Sequence, residues 1–103
     1  MEIRRGTTPT ICIELPLEIE PENIAAAYVT MNQDGNELEK QLSDLTITDN
    51  FLSFDMTQEE TLAFNSLITG WIQVRLKMAD GTSLASQKEP LKFLPVKIGR
   101  AHV

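Results

Sequence analysis

The chain carries one histidine, one cysteine and one tryptophan among 103 residues. Any chemistry must therefore be built around very few strong bases or nucleophiles. His102 stands next to the last residue, so a Ser-His-Asp or Cys-His arrangement has no base held on a rigid element. Cys12 and a terminal His102 do not supply the four ligands that zinc takes. Cys12 falls on the outward face of an alternating segment, and Glu14 beside it raises rather than lowers the cost of a thiolate. There is no glycine-rich phosphate loop or dinucleotide fingerprint. Two groups of carboxylates remain. Glu59-Glu60 fits the start of a helix, where acids meet the positive end of the helix dipole. Glu18, Glu20 and Glu22 surround Pro21 and could hold calcium weakly, but the Asp/Asn spacing and turn glycine of an EF-hand are missing. No catalytic, metal or cofactor-binding residue is assigned, and the chain is not read as an enzyme.

Charge narrows the partners. Net charge is −6, and from Glu14 to Glu60 twelve acids meet a single base, Lys40. A nucleic-acid binder needs clustered Lys and Arg to displace counterions, so that class is excluded. No run is long and apolar enough for a transmembrane helix, so no membrane partner is expected. The start, Met1 to Gly6, lacks the apolar stretch of a signal peptide. Synthesis in the cytoplasm is expected, and a lone thiol suits a reducing compartment.

The elements that could position a site follow a period of two. Ile11, Ile13 and Leu15 alternate with Thr10, Cys12 and Glu14; Ala27, Val29 and Met31 alternate with Tyr28, Thr30 and Asn32. Asp34-Gly35 supplies the positive φ angles of a tight hairpin, and a return strand carries Leu38 and Leu42. Leu45 and Ile47, then Leu52, Phe54 and Met56 after the Asp49-Asn50 turn, continue the inward set. Thr57-Gln58-Glu59-Glu60 reads as a capping box that starts a short helix, tucking Leu62 or Phe64 under one end. Ile72, Val74, Leu76 and Met78 face one way; Trp71, Gln73, Arg75 and Lys77 face the other. After Asp80-Gly81 comes a strand with Leu84, an interruption at Pro90, and then Leu91 and Phe93. This predicts an all-β, Ig-like antiparallel β-sandwich of about seven strands with one short helix, a single domain over residues 1–96. Its core is expected to hold Ile11, Ile13, Val29, Leu52, Phe54, Ile72, Val74 and Leu76.

Three aromatics stand out of phase with that core: Tyr28, Phe51 and Trp71. With Arg75 they form the candidate interaction surface. Exposed rings can mark a protein or glycan contact. Trp71 has a second reading, as a cap over the core at its strand end. If the three rings share one exposed face, a glycan-stacking platform gains support; if they are scattered, it loses support.

Three stretches carry a resemblance. Met1 through Thr10 ahead of an alternating strand is one. Asp44-Leu45-Thr46-Ile47 followed by Thr57-Gln58-Glu59-Glu60-Thr61-Leu62 is the second. Ile72-Gln73-Val74-Arg75 with Ala79-Asp80-Gly81 and Leu84-Ala85-Ser86 is the third. Together they resemble small prophage proteins of Gram-positive bacteria, a group similar to the Ig-like N-terminal domain of phage baseplate upper proteins. The resemblance spans most of residues 1–90. It implies a virion-associated structural or adaptor module that docks other virion or tail proteins or itself as a homo-oligomer. It carries over no site residue. The alternative is a glycan-binding sandwich module.

The last residues read differently. Ile98-Gly99-Arg100-Ala101-His102-Val103 back-translates as ATC GGA AGA GCA CAC GTC. That looks like a widely used sequencing-library adapter in one frame, whose next codon is a stop. Residues 97–103 are therefore expected to be a non-native tail on a metagenomic reading of the gene, and Arg100 and His102 enter no mechanism. Deleting residues 98–103 is expected to leave the melting temperature within error, since an unpacked chain end carries little stability. A clear drop would contradict the expectation.

Overall fold

In the computed structural model, which describes residues 1–16 and 19–96, the alternating segments become nine strands among the described residues. They are β1 (Glu2–Arg4), β2 (Thr10–Glu14), β3 (Ile24–Gln33), β4 (Asn36–Gln41), β5 (Thr46–Thr48), β6 (Phe51–Asp55), β7 (Gly70–Met78), β8 (Ser83–Ala85) and β9 (Glu89–Leu94). One short helix, α1 (Gln58–Leu62), lies between β6 and β7. The expected tail at 97–103 and Glu18 of the acidic loop lie outside the described residues.

The strands form two sheets. The larger runs β1-β9-β7-β3-β4, with β8 also on β7; the smaller runs β2-β6-β5. Apart from β1, which lies parallel to β9, every pair is antiparallel. One sheet thus holds strands two, five and six. The other holds strands one, three, four, seven, eight and nine. That connectivity is the Ig arrangement, with β2, β6 and β5 opposite a sheet built on β3 and β7. The sandwich, antiparallel apart from β1, with one short helix is as the sequence predicts.

The strand count exceeds seven for two reasons. Glu2–Arg4 is too short to show alternation, yet it pairs with Lys92–Leu94 and buries Ile3. The last segment also splits. β9 pairs with residues 70–72 of β7, and β8 pairs with residues 75–77. Between them Ser86 satisfies Val74 alone: its amide donates to the Val74 carbonyl at 2.8 Å, and its hydroxyl accepts from the Val74 amide at 3.0 Å. Pro90 does not interrupt a strand. It is the second residue of β9, opposite Trp71, near a strand start where a missing N–H is tolerated.

Seven of the eight expected core residues are buried. Ile13 is half-buried, because it borders a cleft between the sheets. Ile3, Met31, Met56, Leu91 and Phe93 join the core. Phe64 stacks on Phe93 with centroids 4.4 Å apart, closing one end. Leu62 is exposed, so of the two residues suggested for that role Phe64 fills it.

Ig domains of the antibody type pin their sheets with a disulfide between the second strand and the β7 position. Here the inward residues of those strands are aliphatic, and Cys12 is exposed. Polar clasps at the α1 end hold the sheets instead. The fully buried Thr61 hydroxyl accepts from the Gly6 amide at 3.0 Å and donates to the Thr7 carbonyl at 2.9 Å, fastening α1 to the β1–β2 crossing. Gly6 sits at φ +79°, which explains a glycine at that crossing. The buried Gln33 amide donates to the Asn65 and Ile68 carbonyls and accepts from the Asn65 amide, so all three contacts tie β3 to the loop before β7. At Gly70, a Cβ would collide with the Asn32 carbonyl oxygen, so only glycine lets β7 start beside β3.

The helix start has the geometry expected. Thr57 Oγ1 accepts from the Glu60 amide at 3.1 Å, and Glu60 Oε1 accepts from the Thr57 amide at 2.8 Å. Lys40 on β4 donates to the other Glu60 oxygen at 2.8 Å. Burial works to raise the Glu60 pKa, but the Lys40 ammonium and the Thr57 amide outweigh it and hold the carboxyl below its ordinary value.

Two outcomes follow from this corner. Thr57→Ala should destabilise the fold by about 1 kcal/mol in equilibrium unfolding, the usual cost of losing an N-cap. Glu60 is depressed, so its contribution is present above its unfolded pKa and is lost as pH falls through the folded one. Lys40→Met should therefore lower the melting temperature at neutral pH, and the gap to wild type should close in acid. A gap that persists or widens in acid would contradict the ion pair's role.

Candidate interaction surface

The outward face of the larger sheet is fixed by the register of β7 against its neighbours. Facing inward, Val29 opposes Val74 and Met31 opposes Ile72. That leaves Tyr28 opposite Arg75, Thr30 opposite Gln73 and Asn32 opposite Trp71 on the outside. On the next strand out, Gln41, Glu39 and Glu37 lie beside Tyr28, Thr30 and Asn32.

Tyr28 and Arg75 form one unit. The Arg75 guanidinium lies 5.1 Å from the Tyr28 ring centroid, within cation–π range, and donates to Glu39 Oε2 at 2.8 Å. Thr30 donates to the same oxygen at 3.3 Å. The Arg75 side chain remains 48% exposed, so this pair orders the surface more than it stabilises the fold.

Trp71 forms a second unit. Its ring is half-buried on the outward face, and the Lys88 ammonium sits 4.3 Å from the centroid. The ring does not join the apolar core, so Trp71 belongs to the surface rather than capping the interior. Four residues along β7 separate the two units, roughly 13 Å at strand spacing. Phe51 lies elsewhere. It is on β6 in the smaller sheet, 44% exposed, opposite Glu14 and Thr48. The structure therefore brings Tyr28, Arg75 and Trp71 onto one face and leaves Phe51 on the other sheet. The three rings form no single platform.

Two partners of this face were not foreseen in the sequence. Only the pairing of β3 with β4 and of β7 with β9 brings Glu39 to Arg75 and Lys88 to Trp71. A larger feature was also missed. A cleft of about 570 Å³ opens between the β2 edge and β7–β8. Its walls are Ile13, Leu15, Ile72, Val74, Leu76 and Leu84, and its polar lining includes Glu14, Ser86 and Glu89. Alternation marks most of these residues as inward, but it cannot show that no strand among the described residues covers them.

Among the described residues neither place assembles a catalytic set. Cys12 faces out opposite Ser53. Among the described residues no three His, Cys, Asp or Glu side chains gather to hold a metal ion. Glu20 of the acidic loop accepts from Asn23 at 3.3 Å. Among the described residues no helix is long and apolar enough to cross a membrane.

No protein-family model matches the chain, and no curated protein does. Among solved structures the chain is similar to the Ig-like domain of mouse leukocyte-associated immunoglobulin-like receptor 1, crystallised as a strand-swapped dimer. That alignment has 19% identity, covers 91% of this chain and 86% of that one, and has a TM-score of 0.47.

Proposed function

We propose that this chain is a non-enzymatic structural or adaptor module of phage tail or baseplate type, which docks other virion proteins through the outward face of its larger sheet. The observation that carries this reading is the pre-ordered face itself. Tyr28, Arg75 and Glu39 on three adjacent strands hold one another, and Trp71 stands under Lys88 on the same face. Aromatic and arginine side chains fixed before binding lose little entropy on contact, which is why such residues anchor protein interfaces. The resemblance of the turn and cap motifs to baseplate Ig-like domains supplies the class of partner. The glycan-binding alternative loses support from the position of Phe51 on the other sheet, since a sugar-stacking surface needs its rings together.

Trp71 is the chain's single tryptophan, so its fluorescence reports on this face alone. Titration with tail or baseplate proteins encoded beside the source gene should shift its emission saturably. Arg75→Glu should weaken that binding by about tenfold or more, equal to about 1.4 kcal/mol. Saturable quenching by oligosaccharides, with no response to any tail protein, would overturn the adaptor reading in favour of the glycan one.

A further inference from the structure

The β2 strand has one partner, β6, and its other edge is open among the described residues. The register shows which groups face that opening. The Leu15 amide donates to the Asn50 carbonyl at 2.6 Å, and the Met56 amide donates to the Pro9 carbonyl at 3.0 Å. Residues 9, 11, 13 and 15 therefore bond to the β6 side, and the amides and carbonyls of Thr10, Cys12 and Glu14 point outward. Native sheets blunt such edges with charge, proline or shortness. The β4 edge carries Glu37, Glu39 and Lys40, while β1 and β5 have three residues each. The β2 edge has five residues between Pro9 and Pro16, with Glu14 the lone charge. It is the least guarded edge described, and it borders the apolar cleft.

We propose that this edge pairs with the β2 edge of a second copy, antiparallel about Cys12, joining the two smaller sheets into one. The sequence Thr10-Ile11-Cys12-Ile13-Glu14 is self-complementary in that register. Thr10 of one copy faces Glu14 of the other, and Cys12 faces Cys12. No like charges stand opposite, whereas a slip that places Glu14 against Glu14 is penalised. The apolar residues agree. Ile11 and Ile13 of the second copy fall on the inward side of the joined sheet, over the cleft lined by Ile13, Leu15, Leu76 and Leu84. A two-fold axis repeats the same contact, as an isologous dimer requires. This pairing uses the smaller sheet and does not depend on the Trp71 face.

Sedimentation velocity on the full chain, from micromolar to millimolar concentration, tests the pairing. The wild type should show a monomer–dimer equilibrium. In dilute solution the Thr10, Cys12 and Glu14 amides should exchange with deuterium freely; in concentrated solution they should be protected. Cys12→Pro removes an N–H that faces the open edge and leaves the β6 ladder intact; it should weaken the dimer by about tenfold or more. Cys12→Lys sets like charges opposite each other and should do the same, without touching the backbone. Trp71→Ala should leave the dimer unchanged. A wild type that stays monomeric overturns the proposal. So does a dimer insensitive to the folded Cys12 variants, or one abolished by Trp71→Ala.

Discussion

The phase of β7 against β3 is the constraint on which the rest of the molecule depends. These are the two longest strands, and they lie at the centre of the larger sheet. Val74 against Val29 and Ile72 against Met31 put four apolar side chains into the interior. Side chains alternate with period two, so a slip of one residue would expose all of them and bury Trp71 and Arg75. The same register that makes the core therefore makes the outward face. Gly70 enforces it at one end, because only a residue without a Cβ fits against the Asn32 carbonyl. The Gln33 amide fixes the neighbouring end of β3 to the loop that leads into β7.

A sandwich without an inter-sheet disulfide needs other links between its layers. Here the links cluster at the α1 end, through Thr61, Gln33, the Lys40–Glu60 pair and the Phe64–Phe93 stack. Among the described residues the side beside β2 has no such clasp and opens as the apolar cleft. The described residues are thus clasped at one end and leave one edge open. Cys12 lies on the strand from which a pinning disulfide would start, but its side chain faces solvent on the outward side. The strands present two distinct surfaces, the outward face of the larger sheet and the open β2 edge.

Much of this was legible in the residues because local signals and tertiary packing agree. Asp34-Gly35 takes positive φ at both positions, as its hairpin needs, and Thr57 with Glu60 forms the reciprocal cap. The alternation in β2, β3, β6 and β7 gave both faces correctly. What escaped depends on pairing at long sequence separation. Three residues of β1 carry no period, and only contact with β9 makes them a strand. Thr61 and Gln33 are polar residues that burial would normally exclude, and their partners come from distant segments. Phe51 was grouped with Tyr28 and Trp71 because all three are out of phase, but phase does not say which sheet a strand joins. The cleft is an uncovered place between elements, and nothing in a linear pattern marks it.

The phase of β7 can be tested by moving one charge along the strand. Equilibrium unfolding of Val74→Asp and Lys77→Asp compares an inward with an outward position. An aspartate at position 74 is buried without a partner, and the fold should lose several kcal/mol or fail to form. At position 77 the side chain is exposed, and the change should stay within about 0.5 kcal/mol. A tolerated Val74→Asp together with a disabling Lys77→Asp would mean that the strand faces the opposite way, and both the core and the proposed docking face would be wrong.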